Sequence, residues 1–201
     1  MILLARTTPF DDLDKKTEGL SVFIFDMRDL PGLTIKPIRT MMNHNTTEVF
    51  FDDVVIPADA LIGEEGRGFR YILDGMNAER ILIASECIGD GRFLIERAVA
   101  YANQREVFGG PIGANQGVQF PLAKAYAQLC AANLVRFDAA AKFDSGLKCA
   151  AEANMAKLLA SEASWAAANA SLDTHGGFGF AEEYDIERKF RETRLYQVAP
   201  I

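Results

Sequence analysis

Three groups of residues have types and spacings suited to chemistry. The first is Gly176-Gly177-Phe178-Gly179, followed by Arg188, Arg191 and Arg194 three apart. Glycines let a backbone approach a ligand closely, and arginines offer forked donors to an anion. The same glycines also suit a helix C-cap and turn, although three in four residues exceed what a cap needs. They do not form G-x-G-x-x-G after a strand, so they give no Rossmann signal. His175, just before them, reads as a satisfied structural histidine. The second group is Glu79-Arg80. On a helical wheel Arg80 falls within an apolar stripe and Glu79 lies at its edge. Partial desolvation would raise the Glu79 pKa towards that of a general base working near neutrality. The pair also fits a solvated helix surface. The third group is Arg105-Glu106-Val107-Phe108-Gly109, with Gln116 eleven residues beyond Arg105. A guanidinium suits phosphate and a phenylalanine can stack on an aromatic ring. The alternative is a basic residue at a helix C-terminus and a core phenylalanine.

The elements that must position these residues change character near residue 65. Upstream, Ser21-Val22-Phe23-Ile24-Phe25 is β-branched and aromatic and precedes the turn signal Leu30-Pro31-Gly32. Leu33-Thr34-Ile35-Lys36-Pro37-Ile38 alternates, and Thr47-Glu48-Val49-Phe50-Phe51 and Val54-Val55-Ile56-Pro57 follow. These segments predict one antiparallel sheet of about four strands, starting abruptly, as if more of it lay upstream. Downstream, Phe69, Ile72, Leu73, Met76, Ile83, Cys87, Leu94, Ala98 and Tyr101 recur with helical period. They predict a helix over about 68–105, broken by Gly109-Gly110-Pro111. Further helices are expected over about 116–143, an alanine-rich 147–174, and 182–194. Short connections favour antiparallel neighbours. The expected fold is therefore mainly α: an antiparallel four-helix bundle over 66–201, preceded by a partial antiparallel β-sheet domain over 1–65.

Composition excludes several classes. A net charge of −7 lacks the positive field that a nucleic-acid binder needs. No apolar run approaches the ~20 residues that span a bilayer, and the apolar start is interrupted at Arg6, too early for a signal-peptide core. Cys87, Cys130 and Cys149 are odd in number and widely spaced, which suggests buried reduced thiols in a cytoplasmic protein. Two histidines without clustered ligands point to no metal site.

Taken in order, the motifs resemble one family. Glu79-Arg80 comes first, then Tyr101-Ala102-x-x-Arg105-x-x-Phe108-Gly109 and Gln116. An alanine-rich helix, Gly176-Gly177-x-Gly179-Phe180 and Glu187-Arg188-x-x-Arg191-x-x-Arg194-Leu195-Tyr196 complete the series. This resembles the C-terminal helical domain of the flavin-dependent acyl-CoA dehydrogenases. Residues 1–65 resemble the last strands of that family's middle β-domain, through Phe51-Asp52-Asp53-Val54-x-x-Pro57 and Gly63-x-x-Gly66-x-Gly68-Phe69.

The resemblance implies FAD-dependent α,β-dehydrogenation of an acyl-CoA thioester. It implies FAD contacts at Arg105, Phe108, Gln116, Asp173, Gly176 and Gly177, typically to a neighbouring subunit's cofactor. It also implies homodimers or homotetramers and an electron-transferring flavoprotein as electron acceptor. Many relatives carry the catalytic glutamate where Pro200 stands, and a subset carries it on the long helix before an arginine. That position is Glu79, with Met76, Asn77 and Arg80 as substrate contacts. Proline at 200 supplies no N–H to polarise the thioester carbonyl. Asp173 stands where the family usually has glutamine, and a carboxylate there would repel a pyrophosphate. Because the family's N-terminal helical domain and flavin-contacting strands are absent from the sequence, a C-terminal fragment of a longer protein is expected. A non-catalytic oligomerisation fragment and a flavin oxidase on the same scaffold are the alternatives.

Overall fold

The computed structural model describes residues 1–42 and 46–199. The chain forms two compact units, Met1–Met76 and Asn77–Ile201. The first unit contains the strands β1 (Ile2–Arg6), β2 (Leu20–Ile24), β3 (Leu33–Ile38), β4 (Thr46–Phe51) and β5 (Leu61–Ile62). They make two antiparallel sheets rather than the one expected. One has the order β1-β2-β5, with Leu4 opposite Val22 and Val22 opposite Ile62. The other pairs β3 with β4, placing Ile35 opposite Val49. Residues 54–57 form no strand. Asp53 turns to φ +48°, outside the extended region, and Pro57 cannot donate to a ladder. The opening apolar residues supply β1, which the strand signals did not reveal.

Ser21 on β2 is buried, and its Oγ accepts the Gly66 N–H at 2.8 Å. Two residues on, a Cβ at Gly68 would lie 2.6 Å from the backbone of Ser21 and Val22. Only glycine lets the chain begin its long helix this close to β2.

That helix is α1 (Gly68–Gln104), which starts in the first unit and continues into the second. A hairpin of β6 (Glu106–Val107) and β7 (Gly110–Pro111) follows, then α2 (Gln116–Asp144), α3 (Ala150–His175) and α4 (Ile186–Val198). α1 and α2 lie where their periodicity places them. Residues 182–184 form a separate 3-10 turn, and Asp185 at φ +63° breaks the path, so α4 starts later than expected.

The packing follows from α3. Ala153, Ala156, Ala160, Ala163, Ala167 and Ala170 are all buried. Their alternating spacing of three and four marks one continuous seam. A parallel stripe of Ser161, Ser164, Ala168, Ser171 and His175 is buried as well. Small side chains on two adjacent stripes let α2 and α4 approach α3 closely. Leu94, Leu129 and Ile186, each almost fully buried, fill the core around them. Cys87 and Cys149 are buried as expected, but Cys130 is exposed because it lies on the outer side of α2. Among the described residues, no helix is long and apolar enough to cross a membrane.

Candidate functional site

The site is assembled where α1 ends and α3 ends. The Arg105 amide donates to the Tyr101 carbonyl at 2.8 Å, and the Arg105 carbonyl accepts the Ile112 N–H at 2.8 Å, so the hairpin folds back on the helix end. The two-residue loop of that hairpin is Phe108-Gly109, with φ +54° and +86°. Positive φ at both positions is the signature of a type I′ turn, which normally selects asparagine or aspartate with glycine. A phenylalanine in the left-handed region is costly, and such strain gathers at functional positions. The ring of Phe108 is fully exposed, which rules out its alternative reading as a core residue.

α3 ends at Gly176, whose φ +57° and ψ −130° suit glycine alone. Its N–H bonds back to the carbonyls of Leu172 and Asp173. His175, one residue earlier, stacks on Tyr101 with ring centroids 4.4 Å apart, and the Arg105 guanidinium sits 6.0 Å from the Phe178 ring centroid. Between them is a cleft of about 500 Å³, lined by Tyr101, Arg105, Ile112, Thr174, His175, Gly176, Gly177 and Phe178. A Cβ at Gly177 would meet no protein atom within 4 Å, so that face of the turn is open to close approach. The fold thus brings Arg105, Gly176 and Gly177 together, although they lie some seventy residues apart in sequence.

Other expected residues lie elsewhere. Asp173 is exposed and lines a separate depression of about 270 Å³ with Lys124 and Gln128. At 100° per residue, positions 173 and 175 project from opposite sides of α3. Gln116 is exposed at the first position of α2 and is not part of the cleft lining. The arginines after the glycine turn are engaged with their own helix. Arg188 pairs with Asp185 and Glu192 at 3.1 Å, and Arg191 with Glu187 at 2.8 Å. Arg194 bonds Gln197 and lies over the Trp165 ring. The three-residue spacing that suggested an anion site thus places Arg188 and Arg191 three or four positions from carboxylates, and Arg194 three from an amide.

Glu79 is exposed on α1, so the partial desolvation suggested by the helical wheel is not provided by the described residues. Arg80 is half-buried, and its Nη1 donates to Asn77 Oδ1 at 3.1 Å, one helical turn back. Its Nε is buried without a partner among the described residues, a polar group whose desolvation the protein does not offset. Met76 is half-buried. Pro200 lies outside the described residues.

The sequence motifs include Tyr101 and Phe178 without a role for their side chains, do not include Thr174, and leave His175 as a structural residue. Their signal was adjacency: Tyr101 is one turn before Arg105, and the others flank the glycines.

Residues 66–199 match the family model for the acyl-CoA dehydrogenase C-terminal domain. This chain belongs to the acyl-CoA dehydrogenase family. An acyl-CoA dehydrogenase of Bacillus subtilis (strain 168) is 38% identical over 200 residues, which are 98% of this chain and 52% of that protein. The solved butyryl-CoA dehydrogenase from Megasphaera elsdenii has a TM-score of 0.89 at 31% identity, covering 98% of this chain and 51% of that one. PigA, solved with FAD and proline, gives a TM-score of 0.89 at 28% identity over 98% of this chain and 51% of its own. The chain spans about half the length of the curated relatives it matches.

In a chain of this family, the cleft offers a donor set that fits a dinucleotide such as FAD. A guanidinium suits phosphate, the open glycine turn admits close backbone approach, and an aromatic ring is presented on the neighbouring hairpin. Asp173 does not fit this set, since it lies in another depression and would repel an anion.

Proposed function

We propose that the protein containing this chain catalyses FAD-dependent α,β-dehydrogenation of an acyl-CoA thioester, with Glu79 as the base. The observation that carries this reading is the shared cleft of Arg105, Gly176 and Gly177 in a chain of this family. In this reading residues 1–65 end the middle β-domain and 66–201 form the helical domain. The bound cofactor's contribution is to accept the hydride leaving the substrate's β-carbon.

This chain's residues bind and orient. Arg105 pairs with phosphate, the bare Gly177 backbone lets it come close, and Phe108 offers its exposed face for stacking. Gln116, at the start of α2, adds an amide contact. On α1, Glu79 takes the proton from the substrate's α-carbon while the Cα–Cβ double bond forms. A base serving an external substrate needs an accessible carboxylate, and Glu79 has one. Arg80, held by Asn77, carries a positive charge on the turn of α1 that bears the glutamate. Met76 supplies apolar surface for the acyl chain. Self-association as a homodimer or homotetramer, an electron-transferring flavoprotein as acceptor and a cytoplasmic location complete the reading.

The test is Glu79→Gln in the full-length protein. Dehydrogenation should fall by roughly 10²–10⁴-fold, with bound flavin unchanged in the visible absorption spectrum. Undiminished turnover of every accepted acyl-CoA removes Glu79 as the base. The chain's span of about half its relatives favours a second reading for the 201-residue piece alone, a cofactor-free oligomerisation fragment. Stoichiometric flavin on the purified piece would count heavily against it.

A further inference from the structure

The lining of the cleft at the end of α3 includes one imidazole, that of His175. His175 Nδ1 lies 2.8 Å from the Ser171 carbonyl oxygen. A carbonyl has no proton to give, so Nδ1 carries the hydrogen and donates it. Turning the ring over would lose this bond, while the ring plane is held by the 4.4 Å stack on Tyr101 and by Tyr184, which meets it edge-on at 5.8 Å. Burial disfavours the imidazolium and outweighs the Ser171 hydrogen bond that favours it, so the ring titrates below its usual range. The cleft lining contains no carboxylate to restore the charge. A neutral imidazole protonated on Nδ1 carries its lone pair on Nε2. Among the described residues no group hydrogen-bonds to Nε2, and His175, although buried in the helix packing, lines the cleft.

We infer that His175 is a ligand-recognition residue whose Nε2 accepts a hydrogen bond from a hydroxyl or amino group of the ligand that pairs its phosphate with Arg105. The cleft then selects for an anion and a hydrogen-bond donor side by side, as a nucleotide presents them. This rests on the reading of the cleft as a cofactor site.

The experiment titrates flavin-stripped full-length protein with FAD and follows flavin fluorescence. His175→Phe keeps the stack on Tyr101 and removes the acceptor, and FAD should bind roughly ten-fold more weakly. In the wild type, the ¹⁵N resonance of His175 Nε2 should move on adding FAD while that of Nδ1 stays. This measurement stands even if the variant fails to fold. Flavin hypoxanthine dinucleotide, which lacks the exocyclic amine, separates the donors. If the amine is the donor, the analogue is insensitive to His175→Phe. If a hydroxyl is, it loses the same factor as FAD. Arg105→Ala tests the underlying reading and should also weaken FAD by about ten-fold or more. Weakening by Arg105→Ala but not by His175→Phe, or an unmoved Nε2 resonance, overturns the inference alone. Unchanged affinity in both variants overturns the reading of the cleft with it.

Discussion

Gly176, Gly177 and Gly179 share one turn but answer to three different constraints. Gly176 is required by a backbone conformation that L side chains avoid. Gly179 is required by space, because a Cβ there would lie 2.8 Å from Leu172 Cδ1 and 3.0 Å from the Leu172 carbonyl oxygen. Gly177 is required by neither, since a Cβ there meets nothing in this chain. The difference separates stability from binding. Gly179→Ala should destabilise the fold by about 1–3 kcal/mol through overpacking. Gly177→Ala should change stability by no more than about 0.5 kcal/mol yet weaken FAD binding in the full-length protein. Urea denaturation and flavin titration of the two variants check this. Equal loss of stability in both would refute the distinction.

At the scale of the element, α4 is fastened by charge. Lys189 reaches Asp90 on α1 at 2.6 Å, and the Tyr196 hydroxyl donates to the same carboxylate at 2.9 Å. Glu192, with only 11% of its side chain exposed, sits between Lys189 at 2.9 Å and Arg188 at 3.1 Å. Burial pushes the Glu192 pKa up, but the hydrogen bonds from Lys189 and Arg188 win, and it lies below the ordinary 4.5. A carboxylate with a depressed folded pKa stabilises the fold above its unfolded pKa and loses that contribution as pH falls through the folded value. Lys189 has the opposite sign. Burial pulls it down, its bonds to Asp90 and Glu192 raise it further, and its contribution fades only at alkaline pH above the ordinary 10.5. Glu192→Gln should therefore cost about 1–3 kcal/mol at neutral pH, and the gap to wild type should close as pH falls below the ordinary 4.5 and through the depressed folded value. Thermal denaturation across this range measures the gap. A gap that does not narrow would mean that Glu192 acts by packing and not by charge.

At the scale of the whole molecule, α2 carries two apolar stripes. Leu122, Ala125, Leu129, Ala132 and Ala139 are buried. On the other side, Phe120, Ala123, Ala127, Cys130, Leu134 and Phe137 repeat with the same spacing of three and four but are exposed, Leu134 at 72% and Phe137 at 56%. Positions 120 and 122 are 200° apart on the wheel, so the second stripe faces away from the core. A seam of this period left in solvent is suited to another helix, which supports self-association. Leu134→Lys in the full-length protein should lower the assembly mass measured by light scattering without loss of helical circular dichroism. An unchanged mass would show that the stripe is not the association surface.

The sequence by itself determined what depends on neighbours a few residues away. The period of Cys87, Leu94 and Ala98 gave α1, the break at Gly109-Gly110-Pro111 separated it from α2, and the order of the motifs gave the family. Tertiary structure decided what depends on direction. Asp173 and His175 are two residues apart but project to opposite sides of α3, so only the histidine enters the cleft with Arg105. Arg188, Arg191 and Arg194 looked like donors awaiting an anion until the helix placed Glu187, Asp185, Glu192 and Gln197 beside them. Two sheets replaced one because backbone turns at residues such as Asp53 are not encoded by strand propensity. Side-chain type and spacing are local, whereas the side to which a residue points, and what meets it there, is fixed only when the helices pack.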